Sequence, residues 1–221
     1  MPQKSYDLKR RASEQLKGKW LQAGIVCFIA WLLTIAFTGG NAVHGVQSMQ
    51  TVWHNGELVR IPATTSSNDL GSLISFILMG PITLGVAGYF LKLIRKEGPI
   101  IEDMFKGFRF FIKTFVLNLL IIIFTLLWTL LLIIPGIIAA FRYSMAYYIM
   151  MDNPALSAFE AFNQSKLMMV GNKFQLLVLY FSFLGWFLLC LVTLGLAFLW
   201  VNPYFETAKA NFYQDLKEHY N

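Results

Sequence analysis

A chain of 221 residues with 57% hydrophobic and 14% charged residues is not composed like a soluble domain, where roughly 25% are charged. A fold of this size hides only a limited fraction of its area, so its 20 phenylalanines and other apolar side chains require lipid as part of their solvent. The formal charge of +6 is clustered beside apolar runs, which argues against nucleic-acid binding and for the positive-inside pattern of a membrane protein.

Residues 4–19 place Leu8, Ala12 and Leu16 on one helical face and Lys9, Arg10 and Lys17 elsewhere. The pattern predicts a basic amphipathic helix that flanks the membrane and sets orientation. No small-residue cleavage site follows the first apolar run, so a cleaved signal peptide is not expected. Residues 20–38 carry no charge and are long enough for a first span. Residues 39–70 are polar and form the expected external loop, with His44, His54 and Arg60. A second span over 71–91 contains Gly80-Pro81, a kink signal in a membrane helix.

The basic stretch 92–113 repeats Ile101, Met104, Phe105 and Phe108 at helical spacing, which predicts a second interfacial helix. Spans are expected at 114–134 and 137–151, turning at Pro135-Gly136. Residues 152–173 read as a third amphipathic segment, followed by a span over 174–192 and a turn around Gly195. The last span, 196–213, is apolar for only about a dozen residues and contains Glu206 and Lys209. It therefore needs shielding by neighbours, with Lys209 snorkelling toward headgroups.

Charge counting separates six spans from four. With six, the inner segments hold six, six, two and two Lys and Arg residues, 16 of the 18. Fusing 114–141 and 174–201 into single helices would place Arg142, Lys166 and Lys173 outside with Arg60. The asymmetry predicts six spans with both termini cytoplasmic. A local repeat agrees: EQLKGKW, DMFKGFRF and LMMVGNKF each join an amphipathic stretch to a span through Gly18, Gly107 or Gly171. At each point a left-handed glycine cap would end the interfacial helix. The expected fold is one all-α membrane domain: a polytopic transmembrane helical bundle of three hairpins, each preceded by a cytoplasmic interfacial amphipathic helix.

The run IIPGIIAAFRYSMAYYIMMDNP at 133–154 continues through SAFEAFNQSKLMMVGNKF, SFLGWFLLCLVTLG and LWVNPYFETAKANFYQDL. With FKGFRFF and RRASEQLKGKW, it closely resembles a bacterial family of integral membrane proteins known as domain of unknown function 975. The resemblance covers nearly the whole chain. It implies a bacterial cytoplasmic membrane and no catalytic residues.

No metalloprotease, serine-hydrolase or phosphate-loop motif is present. Cys27 and Cys190 lie in apolar runs, and His44, His54 and His219 have no Cys or carboxylate cluster beside them, so neither metal nor cofactor is expected. Ionisable residues at membrane depth are the candidates for function, because lipid does not solvate charge. Arg142 lies ~9 Å past the Gly136 turn and Glu206 ~16 Å past Gly195. Two arrangements follow: the two face the bundle interior as a pair, or Arg142 snorkels outward and Glu206 sits among the cytoplasmic-side headgroups. Asn118, Asn202, Pro81 and Pro203 are read as packing and bending positions. The functional expectation is a non-enzymatic structural, regulatory or accessory membrane component. Its partners would be anionic lipid headgroups and a membrane protein or a second copy. The alternative is a small oligomeric transporter or channel subunit.

Overall fold

A computed structural model describes residues 5–42, 49–54, 57–62, 69–193, 195 and 197–220. Its elements run in the order α1 (Ser5–Leu16), α2 (Trp20–Ala42), β1 (Met49–His54), β2 (Glu57–Pro62), α3 (Asp69–Ile94), a 3₁₀ helix (Ile101–Phe110), α4 (Phe111–Leu131), α5 (Ile133–Tyr143), α6 (Ala146–Asp152), α7 (Ala158–Met168), α8 (Lys173–Val192) and α9 (Phe198–Tyr220). The chain is helical apart from the antiparallel pair β1–β2, registered Met49 to Pro62 and His54 to Glu57, in the stretch read as external loop. Among the described residues three helical runs are long and apolar enough to cross a membrane: Phe76–Ile94, Ile101–Leu131 and Lys173–Cys190. The bent pair Ser5–Leu16 and Trp20–Thr34 adds a fourth if taken as one.

Two helices organise the bundle. The apolar window of α3 is 67% buried, whereas those of α4 and α8 are 17% buried. α3 packs against α2, the 3₁₀ helix, α4, α6 and α9, and α9 in turn packs against α1, α2 and α8. The outer faces of α4, α5 and α8 leave Leu126, Leu130, Ile134, Phe181 and Leu188 exposed. A helix apolar all round can turn such a face to lipid without desolvation cost.

Several elements depart from the sequence reading. The axis bends by 103° between α1 and α2, with Gly18 at φ +78° in the joint. The bend agrees with a flanking helix feeding a span. However, Leu8, Ala12 and Leu16 are at most 1% exposed, and α1 packs chiefly on α9. Its apolar face is spent on protein rather than on lipid. The 92–113 segment is not an α-helix either. α3 continues to Ile94, the chain reverses with Lys96 at φ +60° and Gly98 at φ +64°, and a 3₁₀ helix follows. Gly107, expected as a left-handed cap like Gly18 and Gly171 (φ +80°), is not in that region. It serves close approach instead: a Cβ there would overlap the Pro81 carbonyl, and one on Gly85 would overlap the Met104 backbone.

The turn expected at Pro135-Gly136 comes slightly earlier. Leu132 is extended (φ −160°, ψ 143°), and Pro135 and Gly136 lie in the first turn of α5. Proline is tolerated there because first-turn N–H groups lack intrahelical partners. Gly136 has no room for a side chain against Thr129, so α4 and α5 fold tightly together. The expected span 137–151 is two helices, broken at Ser144 and Met145. The third amphipathic segment is α7, opened by a capping box: the Glu160 N–H donates to Ser157 Oγ (3.3 Å) and the Ser157 N–H to Glu160 Oε2 (2.7 Å). Gly195, at φ +89°, ends α8 with its N–H on the Cys190 carbonyl. The final helix runs to Tyr220 rather than to residue 213.

Replacing Gly85 with valine should lower the unfolding midpoint of the detergent-purified protein, at an overpacking cost of at least the usual 1–3 kcal/mol, roughly. The obstructing atoms are backbone and cannot rotate away. Gly18→Ala, with open space around it, should cost only the left-handed strain, about 1 kcal/mol. Equal losses at the two positions would contradict the packing role of Gly85.

Candidate functional site: a polar cavity and the ionic layer beneath it

α1, the C-terminal ends of α3, α6 and α9, and the 3₁₀ helix meet in a layer of ion pairs. Asp152, at the end of α6, accepts two hydrogen bonds from the Arg95 guanidinium (2.6 and 2.8 Å), one from Lys217 (2.7 Å) and one from the Tyr213 hydroxyl (2.9 Å). Asp103 takes Lys92 (2.8 Å), Lys106 and the Ile100 N–H (3.0 Å). Asp215 takes Arg11 (2.6 Å), and Gln15 exchanges hydrogen bonds with Asn211 beside it. The side chains of all three aspartates are at most 5% exposed. Burial alone would raise the Asp103 carboxyl. The bonds from Lys106, Lys92 and the Ile100 N–H outweigh it and hold the group at about 2, against 3.8. Burial opposes the Asp152 charge in the same way, and Arg95, Lys217 and Tyr213 hold its pKa below the usual value.

Beside this layer, α2, α3, α6 and α9 line a half-open cavity of about 250 Å³. Its polar lining includes Thr34, Thr83, Ser144, Tyr147, Tyr148, Asn202, Glu206 and Lys209, and Trp31 and Phe198 form part of its apolar wall. A second cavity of about 430 Å³ lies between α3, α4 and α5. Thr83, Ser144, Tyr147 and Lys209 line both, so Lys209 stands in the wall they share. Thr83 is eleven residues from the end of α3, ~16 Å along the helix.

Glu206 and Lys209 share a face of α9 at i and i+3. The Tyr148 hydroxyl donates to Glu206 Oε2 at 3.1 Å. Lys209 Nζ lies 5.6 Å from the centroid of the Tyr148 ring and has no hydrogen-bond acceptor among the described residues. Tyr148 also stacks on Tyr213, centroids 5.4 Å apart and planes 24° apart. Since Tyr213 bonds Asp152, the two stacked tyrosines separate the cavity from the ionic layer while touching an acid on each side.

The expected pair is not joined: no ion pair links Arg142 to Glu206 in the structure. Arg142 ends α5, its carbonyl accepts from Ser165 Oγ (3.0 Å), and its buried Nε has no partner. Asn118 is a packing residue. It accepts from the Tyr147 hydroxyl (2.9 Å) and donates to the Phe76 carbonyl (3.4 Å), tying α4 to α6 and α3. His44 lies outside the described residues. Among those described, no cluster of three or more His, Cys, Asp and Glu has a geometry for metal. Sequence reasoning missed Lys209 as a cavity residue and Tyr148 as the partner of Glu206. The signal for the first was present: Glu206 and Lys209 stand three apart in a helix whose other positions from 198 to 210 are uncharged.

The chain belongs to a family described as protein of unknown function (DUF975), whose model matches residues 1–139 and 129–220. Neither curated proteins nor solved structures give a match.

Asp152→Asn should destabilise the protein by about 2–3 kcal/mol. That is below the 3–5 kcal/mol typical of a fully buried pair, because Arg95 and Lys217 are 27% and 33% exposed. The acid limb of the thermal stability curve reports the same layer. Asp103, held at about 2, and Asp152, held below its usual value, give a contribution that is complete above about pH 4 and is lost as the pH falls through their folded values. Asp152→Asn should flatten that limb. An unchanged limb in the variant would mean that the layer does not set acid stability.

Proposed function

We propose that this family member is a non-enzymatic integral membrane component whose working part is the Glu206–Lys209 cavity, where it binds a small polar or amphipathic ligand. The single observation that carries the reading is a charged pair facing a cavity among helices that are otherwise apolar. Ionisable side chains are costly at membrane depth and line sites or paths when they occur there. A concave apolar wall with a few convergent polar groups is the usual form of a small-ligand site. The Glu206 carboxylate is engaged by a tyrosine hydroxyl, an arrangement suited to recognition rather than to activating a nucleophile. A regulatory or accessory role follows if binding changes how the bundle meets a partner or a second copy. A transport role is the second reading, favoured by the two cavities that share Lys209.

The membrane arrangement that goes with this function is a single six-span domain in a bacterial cytoplasmic membrane, with both termini inside. α5 and α6, of 11 and 7 residues, would together make one broken span. α9 would be the last, with its charges turned to protein. The exposed cations Arg10, Lys17, Lys96 and Arg109 would face anionic headgroups, each worth about 1 kcal/mol near such a surface.

In a variant lacking Cys27 and Cys190, single cysteines at Thr65, Ala155 and Asn202 test both parts. In intact cells an impermeant thiol reagent should label residue 65 and not residue 155. In detergent a charged thiosulfonate should react with the cysteine at 202 and not with one at Phe181, on the exposed apolar face of α8. Labelling of 155 from outside would overturn the six-span arrangement. An inert cysteine at 202 would mean a cavity closed to polar molecules and would end the binding reading.

A further inference from the structure

We propose that the cavity recognises a zwitterion: a molecule carrying an ammonium group and, a short tether away, an anionic oxyacid group such as a phosphate or carboxylate. The inference rests on the cavity-binding reading and adds the class of ligand.

The charge inventory of the site gives the first argument. Glu206 and Lys209 sum to zero, and no ion pair joins them to each other or to a third residue. In the ionic layer, by contrast, Arg11, Lys92, Arg95 and Lys217 each meet a carboxylate within 2.8 Å. A ligand with charge of one sign would leave one of the two groups facing a like charge where the dielectric screens little. A ligand with both signs answers each group with its opposite.

Thr83, Ser144 and Tyr147 bring hydroxyls to the cavity beside the charged pair. Thr83 Oγ1 donates to the Met79 carbonyl (2.7 Å) and Ser144 Oγ to the Phe141 carbonyl (2.8 Å). The Tyr147 hydroxyl donates to Asn118 (2.9 Å). With their protons committed, these oxygens have only lone pairs left to offer, and lone pairs accept from an ammonium. Trp31 and Tyr147 also line the cavity, and aromatic rings attract a cation over their faces. Lys209, whose three donors have no acceptor among the described residues, and the Asn202 amide line the same cavity. Those donors suit an oxyacid. At i and i+3 the two charged side chains leave the helix about 5–6 Å apart at Cβ, a spacing that a short tether spans. The apolar wall of Ile82, Val86 and Phe198 accommodates a hydrocarbon portion, so the zwitterion could be the headgroup of a lipid or a free solute.

The test uses the full chain purified in detergent and reads the thermal unfolding midpoint against ligand concentration. Four probes are titrated: dihexanoyl phosphatidylethanolamine, glycerophosphoethanolamine, dihexanoyl phosphatidylglycerol and hexylamine. The proposal expects the two ethanolamine compounds to bind at least tenfold more tightly than the anion-only and cation-only probes. Binding of the lipid form alone would identify a bilayer lipid as the source, and binding of the free headgroup as well would identify the zwitterion without its tail. Glu206→Gln should remove the preference for ethanolamine over glycerol, and Lys209→Met should weaken both phosphate-bearing lipids. Phosphatidylglycerol or hexylamine binding as tightly as the ethanolamine compounds would overturn the zwitterion while leaving a cavity ligand. Failure of all four probes, or equal binding to both variants, would overturn the cavity reading with it. The probe comparison on the unaltered protein decides the question even if either variant does not fold.

Discussion

Apolar surroundings offer no hydrogen bonds, so a helix that carries charge into a bundle of apolar helices has to be answered by its neighbours. α9 is that helix. Along its length Asn202, Glu206, Lys209, Asn211, Asp215 and Lys217 interrupt the apolar sequence, and the neighbouring helices are placed where they answer these groups. α1 brings Arg11 and Gln15 to Asp215 and Asn211. α6 brings Tyr148 to Glu206 and sets Asp152 between Lys217 and Tyr213. α3 ends with Arg95 on the same Asp152. The elements free of this duty, α4 and α8, are the ones whose apolar windows stay largely exposed.

This arrangement divides the polar groups into two sets with different chemistry. In the ionic layer each buried aspartate is matched by one or more cations, a closed network of the kind that fixes how helices meet. In the cavity Glu206 meets the Tyr148 hydroxyl and Lys209 the Tyr148 ring, with no ion pair to either among the described residues. Between the sets lie the stacked rings of Tyr148 and Tyr213, one hydroxyl on Glu206 and the other on Asp152. A saturated network holds structure, and an unsaturated one is available to a ligand. The position of Lys209, in the wall between two cavities, follows from its place one turn beyond Glu206 on the helix that everything else surrounds.

Close backbone contact is the other device that holds the bundle. Gly85 and Gly107 allow the 3₁₀ helix to lie against α3 nearer than any side chain would permit, and Gly136 does the same for α5 against α4. Small residues at helix interfaces are how membrane helices gain packing when no hydrophobic force separates lipid from leucine. The three repeated glycines therefore have two different duties. Gly18 and Gly171 bend the chain in the left-handed region, and Gly107 admits a neighbour.

Composition and periodicity alone establish that this chain is helical and apolar enough for a membrane, where its apolar runs begin, and that Gly18, Gly171 and Gly195 sit at breaks in the helices. Those are local properties, written in hydropathy and in the freedom of glycine at positive φ. The partners of the charged residues are not local. Arg142 and Glu206 stand about one helical turn apart in expected depth, within reach of long side chains, yet helix rotation and the break at Ser144–Met145 decide which side chains meet, and they turn Tyr148 to Glu206 instead. The apolar stripe of α1 reads the same whether it faces lipid or protein, because a bilayer and a helix bundle are equally good solvents for Leu8 and Leu16. Only the tertiary structure selects α9 as its partner, through the hydrogen bonds of Arg11 and Gln15, which lipid tails could not have supplied.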